Sequence, residues 1–353
     1  LGAPSTSPTL TVGPATSGAR TPAFLFPGRG WRARPALGLA FAWLGILACG
    51  DKGTVSTERP GTTALAGERV NPPRRIVSLA PNLTEMVYAL GAQDRLVGVT
   101  QYCKFPPEAR EKPKVGALVN MNYERLLALG PDLVLLLPGH AQVERELKRM
   151  GLPTLTVRTE SIEDILAALL TVGRALGLES RAQERVDELK GRLAAVEARV
   201  RPPTPADASS AAPPRVLFVI GRNPGTLQQI YACGQASYLG QLLEAAGAVN
   251  AVGSTASPWP VINKETLLKL DPDVILDGSL YGGEEAAVDS AVHMAAWDQM
   301  GTLSAVRAGR VIPVANERLL IPGPGVADGV EELRRLIAGV RAGEASPSAA
   351  TPP

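Results

Sequence analysis

Histidine is nearly missing from this chain: 353 residues contain two, His140 and His293. That excludes a transition-metal receptor built on several imidazoles, the usual ligands of such sites. Aromatic residues make up only 4% of the sequence, and the formal net charge is +2. A nucleic-acid partner would call for a basic face interleaved with aromatics, and none is visible. Setting aside Arg20, Arg29, Arg32 and Arg34 in residues 1–48 leaves a slight acidic excess. Cysteine is scarce too, at three residues. The chain has no Cys-x-x-Cys, no Gly-x-Ser-x-Gly elbow, no Walker phosphate loop and no His-Glu-x-x-His, so no catalytic motif stands out.

What is present begins with a leader. Residues 1–28 are rich in Pro, Ser, Thr, Gly and Ala without periodicity, and are expected to be disordered. Arg29, Arg32 and Arg34 then form a basic region ahead of Ala36–Ala48, an uncharged apolar run of signal-peptide length. It ends Ile46-Leu47-Ala48-Cys49-Gly50, which resembles a bacterial lipobox, whose cysteine is lipidated after cleavage. The alternative is an ordinary secretory signal with a chance cysteine. Residues 1–48 are thus expected to be leader and lipoprotein signal peptide, with Cys49 lipidated and residues 49–73 a flexible tether.

The folded part carries a duplication. Asn122–Leu136 returns as Asn263–Asp277, with eight of fifteen paired positions identical. Each copy is expected to form a short helix capped by Asn, stopped by Gly130-Pro131 or Asp271-Pro272, then a buried strand. Strands and helices alternate on either side of it, which predicts an α/β fold of two Rossmann-like lobes with mostly parallel sheets. The lobes are expected at 74–180 and 215–341. Between them, Ala182, Val186, Leu189, Leu193, Val196 and Val200 recur at steps of four and three. That spacing predicts one long bridging helix over 181–200. Residues 201–214 are expected to be an exposed Pro/Ala/Ser loop and 342–353 a disordered tail. In such folds ligands bind at the carboxyl ends of the strands, here in the cleft between lobes.

Several stretches resemble one family. Arg75-Ile-Val-Ser-Leu-Ala-Pro-Asn-Leu-Thr-Glu85, Gly98-Val-Thr-Gln-Tyr-Cys-Lys-Phe-Pro-Pro107, Met121-Asn-Tyr-Glu124, Pro131-Asp-Leu-Val134 and Pro258-Trp-Pro260 with Glu265 resemble the periplasmic cobalamin-binding proteins of ABC importers. More broadly they resemble the helical-backbone receptors that also carry ferric siderophores and haem. The resemblance runs from about Arg74 to Ala338. It implies a rigid bridging helix, a ligand clamped in the cleft, and one exposed acid per lobe, Glu124 and Glu265, docking on the membrane permease. Carried over by motif, the ligand contacts would be Pro81, Asn82, Tyr102 and Leu118 in the first lobe, and Arg222, Asn223, Trp259 and Asn316 in the second. Leu118 is a departure, since the family's cobalamin receptor places a tryptophan ahead of the Met-Asn motif. With the lipobox-like run at Cys49, the resemblance implies a monomeric, lipid-anchored solute-binding protein in the periplasm or at the outer face of the cell membrane, with no cofactor or catalysis of its own. It would capture a corrinoid, cobalamin foremost, for an ABC permease. A ferric siderophore or haem receptor of the same fold is the alternative, and a secreted lipoprotein enzyme using the cleft a more distant one.

Each residue also has a plainer explanation. Glu124 and Glu265 would complement a helix dipole for about 0.3–1 kcal/mol. Arg222-Asn223-Pro224-Gly225 would make a simple turn. Tyr102 and Trp259 lie in Pro-flanked loops, where core packing explains them less well than a ligand does. His140 would either reach the cleft as an axial imidazole or sit in solvent at a helix start. Cys103 and Cys233 fall in different lobes near the cleft, so they are expected to stay unpaired.

Overall fold

The computed structural model describes residues 71–117, 119–199, 212–279, 290–314 and 316–341. Cys49 with its signal-like run, Leu118, most of the 201–214 stretch and the 342–353 tail lie outside the described residues. In the first half the order is β1 (Ile76–Ser78), α1 (Pro81–Ala89), β2 (Leu96–Val99), β3 (Gly116–Ala117), β4 (Asn120–Met121), α2 (Tyr123–Ala128), β5 (Leu133–Leu136), α3 (Ala141–Arg149), β6 (Thr154–Thr156) and α4 (Ile162–Ala175). The bridging helix is α5 (Glu179–Arg199). The second half runs β7 (Arg215–Gly221), β8 (Ile230–Ala232), α6 (Tyr238–Ala245), β9 (Val249–Asn250), β10 (Val261–Ile262), α7 (Lys264–Leu270), β11 (Val274–Asp277), α8 (Ser290–Ala295), α9 (Ser304–Arg307), β12 (Val311–Pro313) and α10 (Val326–Arg341).

The first sheet is wholly parallel in the order β2-β1-β5-β6. In the second, β7, β11 and β12 are parallel, while the other edge of β7 is shared. Strand β9 pairs in parallel with its start and β8 antiparallel with its end, and β10 extends β8. Gly116–Ala117 and Asn120–Met121 pair antiparallel as the β3–β4 hairpin. Gly116 requires this: its φ is +96, and a Cβ would lie 2.6 Å from the Asn120 carbonyl oxygen.

The two repeat copies do the same work in both lobes. Asn122 and Asn263 accept from the backbone N–H of Arg125 and Thr266, each at 2.8 Å, and so cap α2 and α7. Asp132 then accepts from the N–H groups of Arg74 and Arg75, and Asp273 from that of Arg215. Those contacts tie the start of each first strand, β1 and β7, to the start of β5 and β11. At the matching helix ends, Gly130 (φ +52) and Asp271 (φ +34) both take left-handed backbone. Asp271 tolerates that conformation while its carboxylate accepts from the N–H and hydroxyl of Ser304.

Strand side chains alternate between two apolar faces. Val77, Val134 and Leu136 pack with Leu126 of α2 on the outer face of the first sheet. Leu217, Val219 and Ile275 do so with Leu267 of α7 in the second. The inner faces, through Ile76, Leu133, Leu135, Val216, Phe218, Val274 and Leu276, join one continuous core. Helix α5 makes that continuity possible, burying Ala182, Val186, Leu189, Leu193 and Val196. Each such side chain contributes about 1.5–3 kcal/mol when fully buried, Ala182 less. A shared core opposes any hinge that would part it from the helix.

Candidate functional site

The carboxyl ends of the parallel strands lead into the loops where the lobes meet. After β1, α1 begins at Pro81, which suits a first helical turn because it has no N–H to satisfy. The Asn82-x-x-Glu85 spacing reads as a capping box, but the proline moves the helix start ahead of it, and no side chain caps the helix. Asn82 is freed for tertiary contacts. Its amide donates to Thr159 Oγ1 at 3.0 Å and to the Pro322 carbonyl of the second lobe at 3.4 Å. After β2, Lys104 forms an ion pair with Glu317 at 3.0 Å, and the Arg318 guanidinium lies 5.5 Å from the Phe105 ring centroid. Those contacts bring the loop of Tyr102 to the loop of Asn316. The third junction follows β6, where the Tyr238 N–H donates to the Glu160 carbonyl at 2.7 Å and the Ile162 N–H to Gln241 Oε1 at 2.8 Å.

Trp259 is held beside this third junction. Its ring meets Tyr238 edge-on at 5.7 Å, while the flanking Pro258 and Pro260 carbonyls accept from Gly234 and Ala232. Gly234 must lack a side chain, since a Cβ would lie 2.6 Å from Thr255 Oγ1 and 3.1 Å from the Ser257 carbonyl oxygen. Trp259 stays half-buried and Tyr102 is 38% exposed, so both retain aromatic surface for a ligand. Asn223 is half-buried in the expected turn, its carbonyl accepting from the Thr226 N–H. Asn316 is exposed and its Oδ1 accepts from the Arg318 N–H, capping a short 3₁₀ turn. Pro81 is half-buried at the helix start.

Residues 76–316 match the family model described as periplasmic binding protein. The chain belongs to the periplasmic binding protein family. Among curated proteins it is 30% identical over 270 residues to the ABC transporter substrate-binding lipoprotein YvrC of Bacillus subtilis, covering 75% of this chain and 80% of that protein. It is 31% identical over 208 residues to the vitamin B12-binding protein of Pectobacterium carotovorum, covering 58% and 71%. Among solved structures, the periplasmic vitamin B12 binding protein BtuF of Vibrio cholerae is similar with a TM-score of 0.59 and 25% identity, covering 76% of this chain and 98% of that one. A periplasmic heme binding protein from Pseudomonas aeruginosa is similar at 0.61 and 27%, covering 75% and 92%. The expected two-lobed α/β architecture is the one this family shares, and its members serve ABC transporters as solute-binding proteins.

Three expected contacts of this periplasmic binding protein need correction. Arg222 does not line an open wall: its side chain has 0% exposure and is fully engaged. Nε and Nη2 pair with Asp277, Nη1 donates to the Thr226 carbonyl, Nη2 also to the His293 carbonyl, and the guanidinium stacks 5.4 Å over Trp297. Four of its five N–H groups are met inside the protein, and full enclosure keeps the side chain from a ligand. Asn82, 2% exposed, is likewise committed to the lobe seam. His140 is buried rather than solvated, and Nδ1 accepts from the Leu137 N–H at 3.4 Å. Burial lowers its pKa, so the neutral ring is favoured. Cys103 and Cys233 are free as expected but lie in the core instead of near the cleft surface. Burial raises both thiol pKa values and makes them poor nucleophiles.

The Arg222 network brings a serine, a histidine and an aspartate together. Nδ1 of His293 accepts from the Gly225 N–H, so the ring proton sits on Nε2 and donates to Ser279 Oγ at 2.8 Å. The Ser279 hydroxyl then donates to Asp277. In a catalytic triad the histidine must accept the serine proton. Here the proton order is reversed, and burial followed by the Arg222 charge holds the His293 pKa down. The arrangement is structural. Sequence offered one sign of it: Asp277 stands where the first repeat copy has Leu136, a charge at the end of a buried strand.

Sequence reading also missed Glu85 at the lobe seam. It is 8% exposed, its Oε1 has no hydrogen-bond partner, and Oε2 faces Gly323 and Gly325. Burial raises its pKa to about 7 from 4.5, with Arg318 opposing and Asp328 adding. Below pH 4.5 both the folded and unfolded chain hold the proton; between there and about 7 only the folded chain keeps it. Stability should therefore fall by about 1.4 kcal/mol per pH unit in that window, about 3 kcal/mol in all. Urea melts at several pH values should show Glu85→Gln flattening that decline. Equal slopes in both proteins would mean Glu85 is ionised where it lies.

Proposed function

We propose that this protein captures a corrinoid, cobalamin foremost, in the cleft between its lobes and hands it to an ABC permease. It acts on the outer side of the cell membrane, held there by lipid on Cys49. The observation that carries the ligand class is the similarity to vitamin B12-binding proteins across 71% of the Pectobacterium relative's length. Tyr102 and Trp259 support it, because a large amphipathic macrocycle needs flat aromatic faces and a few polar groups. Asn223 and Asn316 supply amides of the right kind. Haem is the second reading, favoured by the heme-binding structural relatives at 27–28% identity.

Calorimetric titration of the purified protein with cobalamin, cobinamide, haem and a ferric siderophore separates these. Binding of cobalamin or cobinamide is expected, weakened at least tenfold by Trp259→Ala. Heat with haem or siderophore and none with either corrinoid would remove the corrinoid assignment.

A further inference from the structure

Helix α5 does more than join the lobes. Arg181, Arg185, Glu188 and Arg192 fall on one helix face, and that face lines a half-open cavity of about 260 Å³. The opposite walls are Tyr88 and Ala89 at the end of α1, Leu169 of α4, and Pro324 ahead of α10. Both lobes and the bridging helix thus contribute to one small pocket.

Its charges do not balance internally. Glu188 pairs with Nη1 of Arg185, and Asp328 pairs with Arg192 and is approached by Arg318 at 3.8 Å. Nε of Arg185 is buried without a hydrogen-bond partner. Arg181 has no acidic partner among the described residues; its guanidinium lies flat against Gly91, where a Cβ would be 3.0 Å from Cζ. Two guanidinium groups therefore present unused donors beside a tyrosine ring and aliphatic walls. Charge-assisted bonds to an oxyanion are the strong way to engage exposed guanidinium donors.

We propose that this cavity is a second ligand site, taking a small organic anion: one phosphate or carboxylate group on an apolar body. The oxyanion meets Arg181 and Arg185, and the body lies along Tyr88, Leu169 and Pro324. The volume is below the roughly 300–1,000 Å³ typical of drug-sized ligand sites, so the occupant is small.

The test uses phenyl phosphate, inorganic phosphate and phenol as probes in calorimetry on the purified protein, with phosphatidylglycerol vesicles as a separate arm. Phenyl phosphate is expected to bind at least tenfold tighter than inorganic phosphate or phenol. Arg181→Gln with Arg185→Gln should weaken it tenfold or more while the circular dichroism spectrum stays unchanged. Should that variant fail to fold, Pro324→Glu sets a negative charge at the opposite wall and should weaken binding equally. Affinity untouched by a folded variant, equal affinity for phenyl and inorganic phosphate, or binding to vesicles alone would each overturn the proposal.

Discussion

Replacing Asp277 with alanine is expected to destabilise the protein by about 3–5 kcal/mol, the range for removing one partner of a buried ion pair. Its side chain is fully enclosed and accepts from Arg222 Nε at 3.0 Å, Trp297 Nε1 at 2.8 Å, the Ser279 N–H at 3.0 Å and the Ser279 hydroxyl. Truncation leaves a buried guanidinium with no counter-charge and an indole N–H with no acceptor. For a chain of this size the melting temperature should drop on the order of 10 °C. The double change Asp277→Leu with Arg222→Met removes both charges and should recover much of the loss, since a buried pair often does little better than apolar residues of similar volume. A loss under about 1 kcal/mol for Asp277→Ala, measured by denaturant melts, would show that Arg222 finds water or another partner.

Reversing charge at Glu124 and Glu265 together is expected to abolish ligand delivery while ligand affinity stays unchanged. Both acids are exposed in the first turn of helices that cover the outer sheet faces, α2 and α7. Glu124 has no ion-pair partner among the described residues, and Glu265 pairs only with Lys269 at 2.8 Å on a highly exposed surface. Such a surface pair is worth about 0–1 kcal/mol, so neither acid is needed for stability. Their equivalence within the duplication gives the two lobes matching exposed acidic points, which the expected docking on a permease would use. Reconstituted transport assays on Glu124→Arg with Glu265→Arg, beside calorimetry, separate the two effects. Reduced ligand affinity in that variant would mean that these acids serve the cleft instead of the docking surface.

Local patterns were the legible part. The capped helix-then-strand unit, the stripe of α5 and the alternation of strands with helices all follow from short-range periodicity, and the structure builds each from the residues that predicted it. The β3–β4 hairpin was not legible, because it depends on one glycine with positive φ that no periodicity marks. Asn82 and Glu85 failed for a different reason. A capping-box pattern is local, but Pro81 moved the helix start, and Thr159 and the Pro322 carbonyl of the second lobe supplied Asn82 with partners. Arg222 looked like a loop residue awaiting a ligand, because its neighbours Asn223, Pro224 and Gly225 do form a turn. Its true partner, Asp277, lies fifty-five residues away on the adjacent strand.

The sequence by itself determined the duplication, the bridging helix and the two acids that open α2 and α7, since each is carried by short-range spacing, and its motifs between Arg74 and Ala338 carried the resemblance to the family. Only the tertiary structure decided which polar residues remain available. Arg222 and Asn82 are consumed by partners distant in sequence and His140 is buried against its own turn, while Tyr102 and Trp259 keep exposed aromatic surface. It alone also brought Tyr88, three arginines and Pro324 around one cavity. The physical reason is desolvation: whether a charge must find a partner inside the protein depends on what the rest of the chain lays over it.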